Sequence, residues 1–268
     1  MFTTLINYFY KTNKNNKKYG WKKDKTDDRD SIVTFNKLNH KFFHINSVDL
    51  REFCPDIYTQ GNLGSCTANA IAAAYEYDMI KQKEENIFVP SRLFIYYNER
   101  KMINTINEDS GAEIRDGIKT INIDGICNET DWPYDISKFT DTPPEELYET
   151  AKHHRAVKYK KLTQNIDHFK ECLSRGYPFV FGFMVYESFE NQSVQETGIM
   201  PMPTDSENLL GGHAVMAVGF NETDKTILVR NSWGVDWGMN GYFTMPYEFI
   251  LNPKYCSDFW VISRVKDV

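Results

Sequence analysis

Near Tyr177 the hydrophobic pattern of this chain changes period, and that change constrains the fold more than any other feature. Before it, apolar residues recur at helical spacing. The spacing predicts helices over 65–82, 91–103, 112–123, 144–156 and 165–175. Ser91 and Asn165 stand where N-caps belong, Pro144 at a first helical turn, and Gly176 where a helix stops. After it come short β-type runs broken by Gly, Pro and Asn: "PFVFGFMV", "GHAVMAVGF", "TILVRN", "GYFTM" and "DFWVISRV". Helices followed by strands imply an α+β chain of two unlike halves. The boundaries fall at 1–46 for an N-terminal extension, 47–157 for a mainly helical part and 158–268 for a mainly β part. A chain of 268 residues has ample length for such a core.

Charge and cysteine content narrow the function classes. Residues 1–25 hold seven lysines and one aspartate, whereas the whole chain is at −6. A basic extension on an acidic body fits a solvated tail, a nucleic-acid arm or a segment that docks on its own body. The acidic body makes nucleic acid an unlikely partner. Five cysteines at wide spacing, with no CxxC, argue against a disulfide framework or zinc site and for a reducing compartment. The opening "MFTTLINYFY" is too short and polar for a membrane span and lacks the flanks of a secretion signal. The expected location is cytoplasmic or another reducing compartment, or inside a particle if the chain is viral. His153-His154 reads as solvent-facing, and no metal, cofactor or membrane is called for.

In "QGNLGSCTANAIAAAYEY" a glycine-punctuated turn becomes an alanine-rich helix, with Cys66 at the joint. Ser65 can cap that helix. The unpaired N–H groups and the helix dipole favour a thiolate in the first turn. A thiolate that acts as a nucleophile needs a base. His213 opens a strand with glycines before it and small residues after it. A hairpin centred near Glu222 sets His213 opposite Asn231, whose carboxamide can fix the imidazole tautomer. Trp233 follows in "NSWG" and can shield that hydrogen bond. Acyl transfer needs donors for the oxyanion, and the Cys66 N–H and the Gln60 side chain qualify.

Gln60, "GSC" at 64–66, "GHAVMAVGF" at 212–220 and "VRNSWGVDWGMNGYF" at 229–243 together resemble the papain-like cysteine proteases, in which Gln, Cys, His and Asn occur in this order. His213 lies 147 residues after Cys66, within that family's spacing. The resemblance implies a helical half and an antiparallel, barrel-like β half meeting at a cleft, with Cys66 on one wall and His213 and Asn231 on the other. It implies attack of Cys66 on peptide carbonyls, with protein or peptide substrates. Gly64, Ser65, Ser110 and Gly111 resemble groove-lining stretches, and Gly182, Gly212 and Ala214 would form the adjoining pocket. Leu63 and Thr67 stand where the family often has a cysteine and an aromatic, so its usual disulfide cannot form. "DSGAEIRDGIK" replaces a segment common in secreted members.

The extension is expected to be a pro-segment lying in the cleft, drawn there by its lysines and released when acid protonates body carboxylates. The competing readings are a catalytically silent scaffold of the same fold and a peptide ligase using the same acyl-enzyme.

Overall fold

The computed structural model describes residues 19–34, 45–155 and 157–264. The lysine-rich run before Tyr19 and residues 35–44 of the expected pro-segment lie outside the described residues.

Helix α1 (Cys66–Gln82) is the axis of the molecule. Fourteen of its residues, from Cys66 through Met79, are buried, so it has no solvent stripe. Its run of small side chains lets the sheet and two other helices approach on several sides. Helices α2 (Arg92–Met102) and α3 (Ile114–Ile123) pack on it from one side. Ser91 caps α2 by accepting a hydrogen bond from the Phe94 N–H at 3.1 Å. Helix α4 (Glu145–Ala151) continues as a 3-10 turn over Lys152–His154, shorter than the helical spacing predicts. His153 is exposed as expected, while half-buried His154 packs its ring on Phe88 at 4.7 Å. Helix α5 (Ile166–Ser174) is capped by Asn165 as expected, and two short helices follow, α6 (Gln192–Thr197) and α7 (Tyr247–Ile250).

The β half is a sheet in the order β4 (Val157–Lys161), β9 (Cys256–Arg264), β5 (Phe179–Tyr186), β6 (Leu209–Asn221), β7 (Thr226–Arg230) and β8 (Tyr242–Pro246), every neighbouring pair antiparallel. Strand β2 (Ser47–Asp49) adds to β6. The barrel-like half is an open sheet: among the described residues β4 and β8, the two ends of the path, do not pair. Helices cover the sheet instead. One face packs on α1, and Phe169 of α5 stacks on Phe179 of β5 at 4.9 Å. A separate two-stranded parallel ladder joins β1 (Trp21–Lys22) to β3 (Ala112–Glu113). That ladder ties the N-terminal segment to the helical half.

All five cysteines are free thiols. Leu63, where a disulfide partner would otherwise stand, is buried core.

Candidate active site

Cys66 is the first residue of α1 and fully buried. Ser65 does not cap the helix with its side chain. Its hydroxyl lies 2.5 Å from Tyr134 Oη and accepts from Asn69 Nδ2 at 3.1 Å. Tyr134 Oη in turn donates to the Gln60 carbonyl at 2.9 Å. This network braces the turn that presents the thiol, and Tyr134 is a member that sequence reading missed.

His213 and Asn231 meet, although by a different register from the one expected. Strands β6 and β7 pair Met216 with Arg230 and Ala217 with Val229, then slip by one residue to pair Gly219 with Leu228. Asn231 has just left β7, its N–H bonding the Gly241 carbonyl at 2.9 Å. On a period of two, His213 shares a face with Val215, so it reaches Asn231 diagonally rather than straight across. His213 Nε2 and Asn231 Oδ1 are 2.8 Å apart. Trp233 lies nearly parallel to the imidazole, with centroids 4.9 Å apart, and covers this contact. The next residue after His213 faces the cleft: the Ala214 N–H is directed toward the Cys66 thiol and helps to lower its pKa. Thiol and imidazole therefore stand on facing walls.

Gln60 is fully buried where the halves are stitched together. Its Oε1 accepts from Ser232 Oγ at 2.7 Å, its N–H bonds the Ser232 carbonyl at 2.9 Å, and Nε2 donates to the Leu63 carbonyl at 3.0 Å. Gly64 is held by Asp109, which accepts its N–H at 3.0 Å and the Tyr96 hydroxyl at 2.5 Å. Gly111 N donates to the same tyrosine oxygen at 3.1 Å. Asp109 and Tyr96 thus fix both glycine walls of the groove. Ser110 turns its hydroxyl to Thr105 Oγ1 at 2.7 Å and to its own loop.

The cleft holds the protein's own N-terminal segment. Tyr19 packs edge-on against His213 and Trp233 and donates its hydroxyl to Glu190. Gly20 crosses above Cys66, with its N–H directed to the thiol and its carbonyl accepting from Ala112 N at 2.8 Å. Only glycine fits at that point, because a Cβ would sit 1.7 Å from the Gly64 carbonyl oxygen. Trp21 lies against Gly182 and Gly212. Burial under this cover pushes the Cys66 thiol up to about 11, although the N–H groups of Ala214, Gly20 and Thr67 pull it down.

Among the described residues beyond Trp21 the docking charges are the reverse of those expected. The acidic stretch of the segment, not its lysines, makes the described ion pairs. Asp30 meets Arg115 at 3.1 Å and Lys161 at 3.6 Å, and Asp27 meets Lys119 at 3.8 Å. Asp24 accepts from Arg115 N at 3.2 Å and Trp260 Nε1 at 2.8 Å. Its own N–H donates to Asp258 Oδ2 at 2.8 Å. Burial, and then the charge of Asp258, push the Asp24 carboxyl up to about 7; burial also raises Asp258. A raised carboxyl pair favours docking in acid, which opposes the expected acid trigger. The reason is that one carboxylate belongs to the segment and the other to the body, so ionising both pushes them apart.

A profile described as "Papain family cysteine protease" matches residues 45–256. The chain is 50% identical over 272 residues to the "Uncharacterized peptidase C1-like protein L477" of Acanthamoeba polyphaga mimivirus, covering 93% of this chain and 88% of that protein. Among solved structures it resembles xylellain, a cysteine protease from Xylella fastidiosa, with a TM-score of 0.86, 42% identity, and coverage of 94% of this chain and 97% of that one. It shares its fold with a procathepsin B from Trypanosoma congolense, with a TM-score of 0.68, 18% identity, and coverage of 92% and 85%.

Proposed function

The chain belongs to the papain family of cysteine proteases, and from that membership we propose that it hydrolyses peptide bonds through a Cys66 thioester and is made with residues 19–34 as an inhibitory plug. The single observation that carries the catalytic assignment is the Trp233-covered His213–Asn231 contact at 2.8 Å on the wall facing Cys66. Asn231 engages Nε2, which leaves Nδ1 as the nitrogen for the thiol side of the ring.

In the proposed cycle His213 takes the Cys66 proton, and the sulfur bonds to the substrate carbonyl carbon. The carbonyl electrons pass to oxygen, which accepts hydrogen bonds from the Cys66 N–H and from Gln60 Nε2. Collapse breaks the C–N bond, and His213 protonates the departing amine. His213 then deprotonates a water that attacks the thioester, and the thiolate leaves.

In this reading the substrate has one direction. The departing amine must lie toward His213, so the C-terminal half of a substrate runs over Trp233. The segment runs the other way: Tyr19 lies on the Trp233 side and later residues run past Gly111. Gly20 gives the sulfur an N–H rather than a carbonyl carbon. A reversed chain occupies the groove without offering a cleavable bond, which supports the precursor reading.

The test is full-length protein under reducing conditions on a fluorogenic peptide pool, beside Cys66→Ala. Cleavage lost in Cys66→Ala, with a new N-terminus near residue 46, supports a self-processing peptidase. A Cys66 that reacts with an epoxide once the plug is displaced, without any peptide turnover, would sink hydrolysis and favour a binding scaffold.

A further inference from the structure

The carboxamide beside His213 is only half engaged. Asn231 Oδ1 meets His213 Nε2 at 2.8 Å and accepts the Ser232 N–H at 2.8 Å. Asn231 is 2% exposed, yet its Nδ2 has no hydrogen-bond partner among the described residues. A buried amide donor is costly to leave so, and nearly all such groups are satisfied by protein or by ordered water.

Asn231 lines a cavity of about 10 Å³ between α1 and the sheet. That is room for a single water. Asn69, Ala70 and Ala73 form its α1 wall and lie with Cys66 on one helix face, at spacings of three and four. The two alanines leave the gap open. The neighbouring donors serve other partners. Arg230 donates to the Pro55 and Asp56 carbonyls, the Tyr58 hydroxyl to Glu76, and Ser232 Oγ to Gln60. What the cavity offers is acceptors. Asn69 Oδ1 takes only a long contact from Arg92 Nη1, at 3.3 Å, and keeps a lone pair; Ser232 Oγ keeps one as well. A water there accepts from Asn231 Nδ2 and donates to Asn69 Oδ1 and Ser232 Oγ, the number of bonds a buried water usually makes.

Resting on the peptidase reading above, we propose that Asn69 is a positioning residue: through one buried water it holds the nitrogen end of the Asn231 carboxamide, and so keeps the His213 ring in the tautomer and orientation that face the thiol. The Ser232 N–H holds only the oxygen end. Asn69 is suited to the role because its Nδ2 donates to the Ser65 carbonyl at 2.9 Å and to the Ser65 hydroxyl at 3.1 Å. One side chain thus ties the turn before Cys66 to the residue that orients the imidazole, across the junction of the two halves.

The test uses full-length Cys66→Ala, in which self-cleavage is blocked. A rotating-frame cross-relaxation peak is expected between water and the Asn231 side-chain amide, with the sign of a bound water rather than of proton exchange. Its loss in Asn231→Ser assigns it. The peak should vanish in Asn69→Leu. That change also frees Ser65, so Ala73→Val, which fills the cavity and leaves Asn69 in place, is the second variant and should abolish the peak too. No peak in the parent, or a peak that survives either substitution, overturns the proposal. In the same samples, nitrogen shifts of the neutral His213 ring should show the Nε2–H tautomer in the parent, and in Ala73→Val roughly a fivefold larger share of the Nδ1–H tautomer. An unchanged ratio overturns the positioning role. Full-length Trp21→Ala with Cys66 intact then separates this proposal from the peptidase reading. Ala73→Val in that background should lower kcat about tenfold and leave KM within about twofold. An equal kcat overturns the proposal and leaves the peptidase reading standing. No turnover from a Cys66 that alkylates readily defeats the peptidase reading, and the water peak and the tautomer ratio then decide Asn69 by themselves.

Discussion

Trp21 lies so flat on Gly182 that a single added Cβ would sit 1.9 Å from its Cε2 and 2.3 Å from two further ring atoms. No side chain at 182 is compatible with the indole where it is. Gly182→Val is therefore expected to expel Trp21 and loosen residues 19–34 without unfolding the sheet, since valine suits a strand. In the full chain, Cys66 should alkylate at least tenfold faster while the far-ultraviolet circular dichroism stays unchanged. A thiol as slow as in the parent would mean that Trp21 does not hold the plug.

Docking of the segment should weaken as pH rises. Asp24 is raised to about 7 when docked and returns toward the ordinary carboxylate range, about 3.9, when released. Its contribution is fully present below about pH 4 and is lost across the window up to about pH 7. Asp258 shifts the same way, and the two titrate as a pair. The groups around them are Arg115 of α3, Lys161 of β4, Trp260 of β9, and Lys23 and Asp30 of the segment. Hydrogen exchange over residues 19–34 of Cys66→Ala should quicken between pH 5 and 8 beyond the intrinsic rate. Asp24→Asn, which mimics the protonated form, should flatten that rise; an equal rise in both would exclude this pair as the cause.

In the proposed cycle Gln60 has two jobs, and substitutions can separate them. If it is a donor to the oxyanion, Gln60→Ala should lower kcat about 10²-fold with little change in KM. Ser232→Ala removes only the 2.7 Å bond to Oε1 and should cost far less. Equal losses in the two variants would assign Gln60 to joining the halves rather than to catalysis.

Glu99 is a buried carboxyl packed against α1. Thr67 donates to its Oε2 at 2.8 Å, while Oε1 is buried without a partner. Burial pushes it up to about 8, so it is neutral at pH 7. A carboxyl raised by folding favours the folded state fully below its unfolded value, about 4.3, and that stability is lost as pH rises to about 8. Glu99→Gln stands in for the protonated acid. It should gain on the parent in urea melts as pH rises from 5 to 8, with no further gain above 9. A constant difference across that range would place the titration elsewhere.

Much of the fold was legible because it is local. The alanine run of α1 could only be a helix buried on all sides, and Ser91 and Asn165 cap where their side-chain chemistry predicts. Strand β4 was missed because "VKYKK" has three lysines in five residues and reads as solvated chain; its pairing with β9 makes it a strand. Ser65 was credited with a cap because its hydroxyl suits one, but Tyr134, 69 residues away, engages that hydroxyl instead.

The sequence by itself determined the helical and β halves, the thiol at the head of α1, and a histidine and an asparagine near one end of a hairpin. Each follows from spacing along the chain. The tertiary structure alone decided the diagonal His213–Asn231 contact, because a one-residue slip within the hairpin leaves no mark in composition. It alone placed Trp21 against Gly182 and Asp24 beside Asp258, residues 161 and 234 positions apart. Charge counts predicted that the lysines would dock. Among the described residues it is the aspartates that make the ion pairs, because ion pairing is set by which side chains the folded surface brings within a few ångströms, not by the net charge of either part.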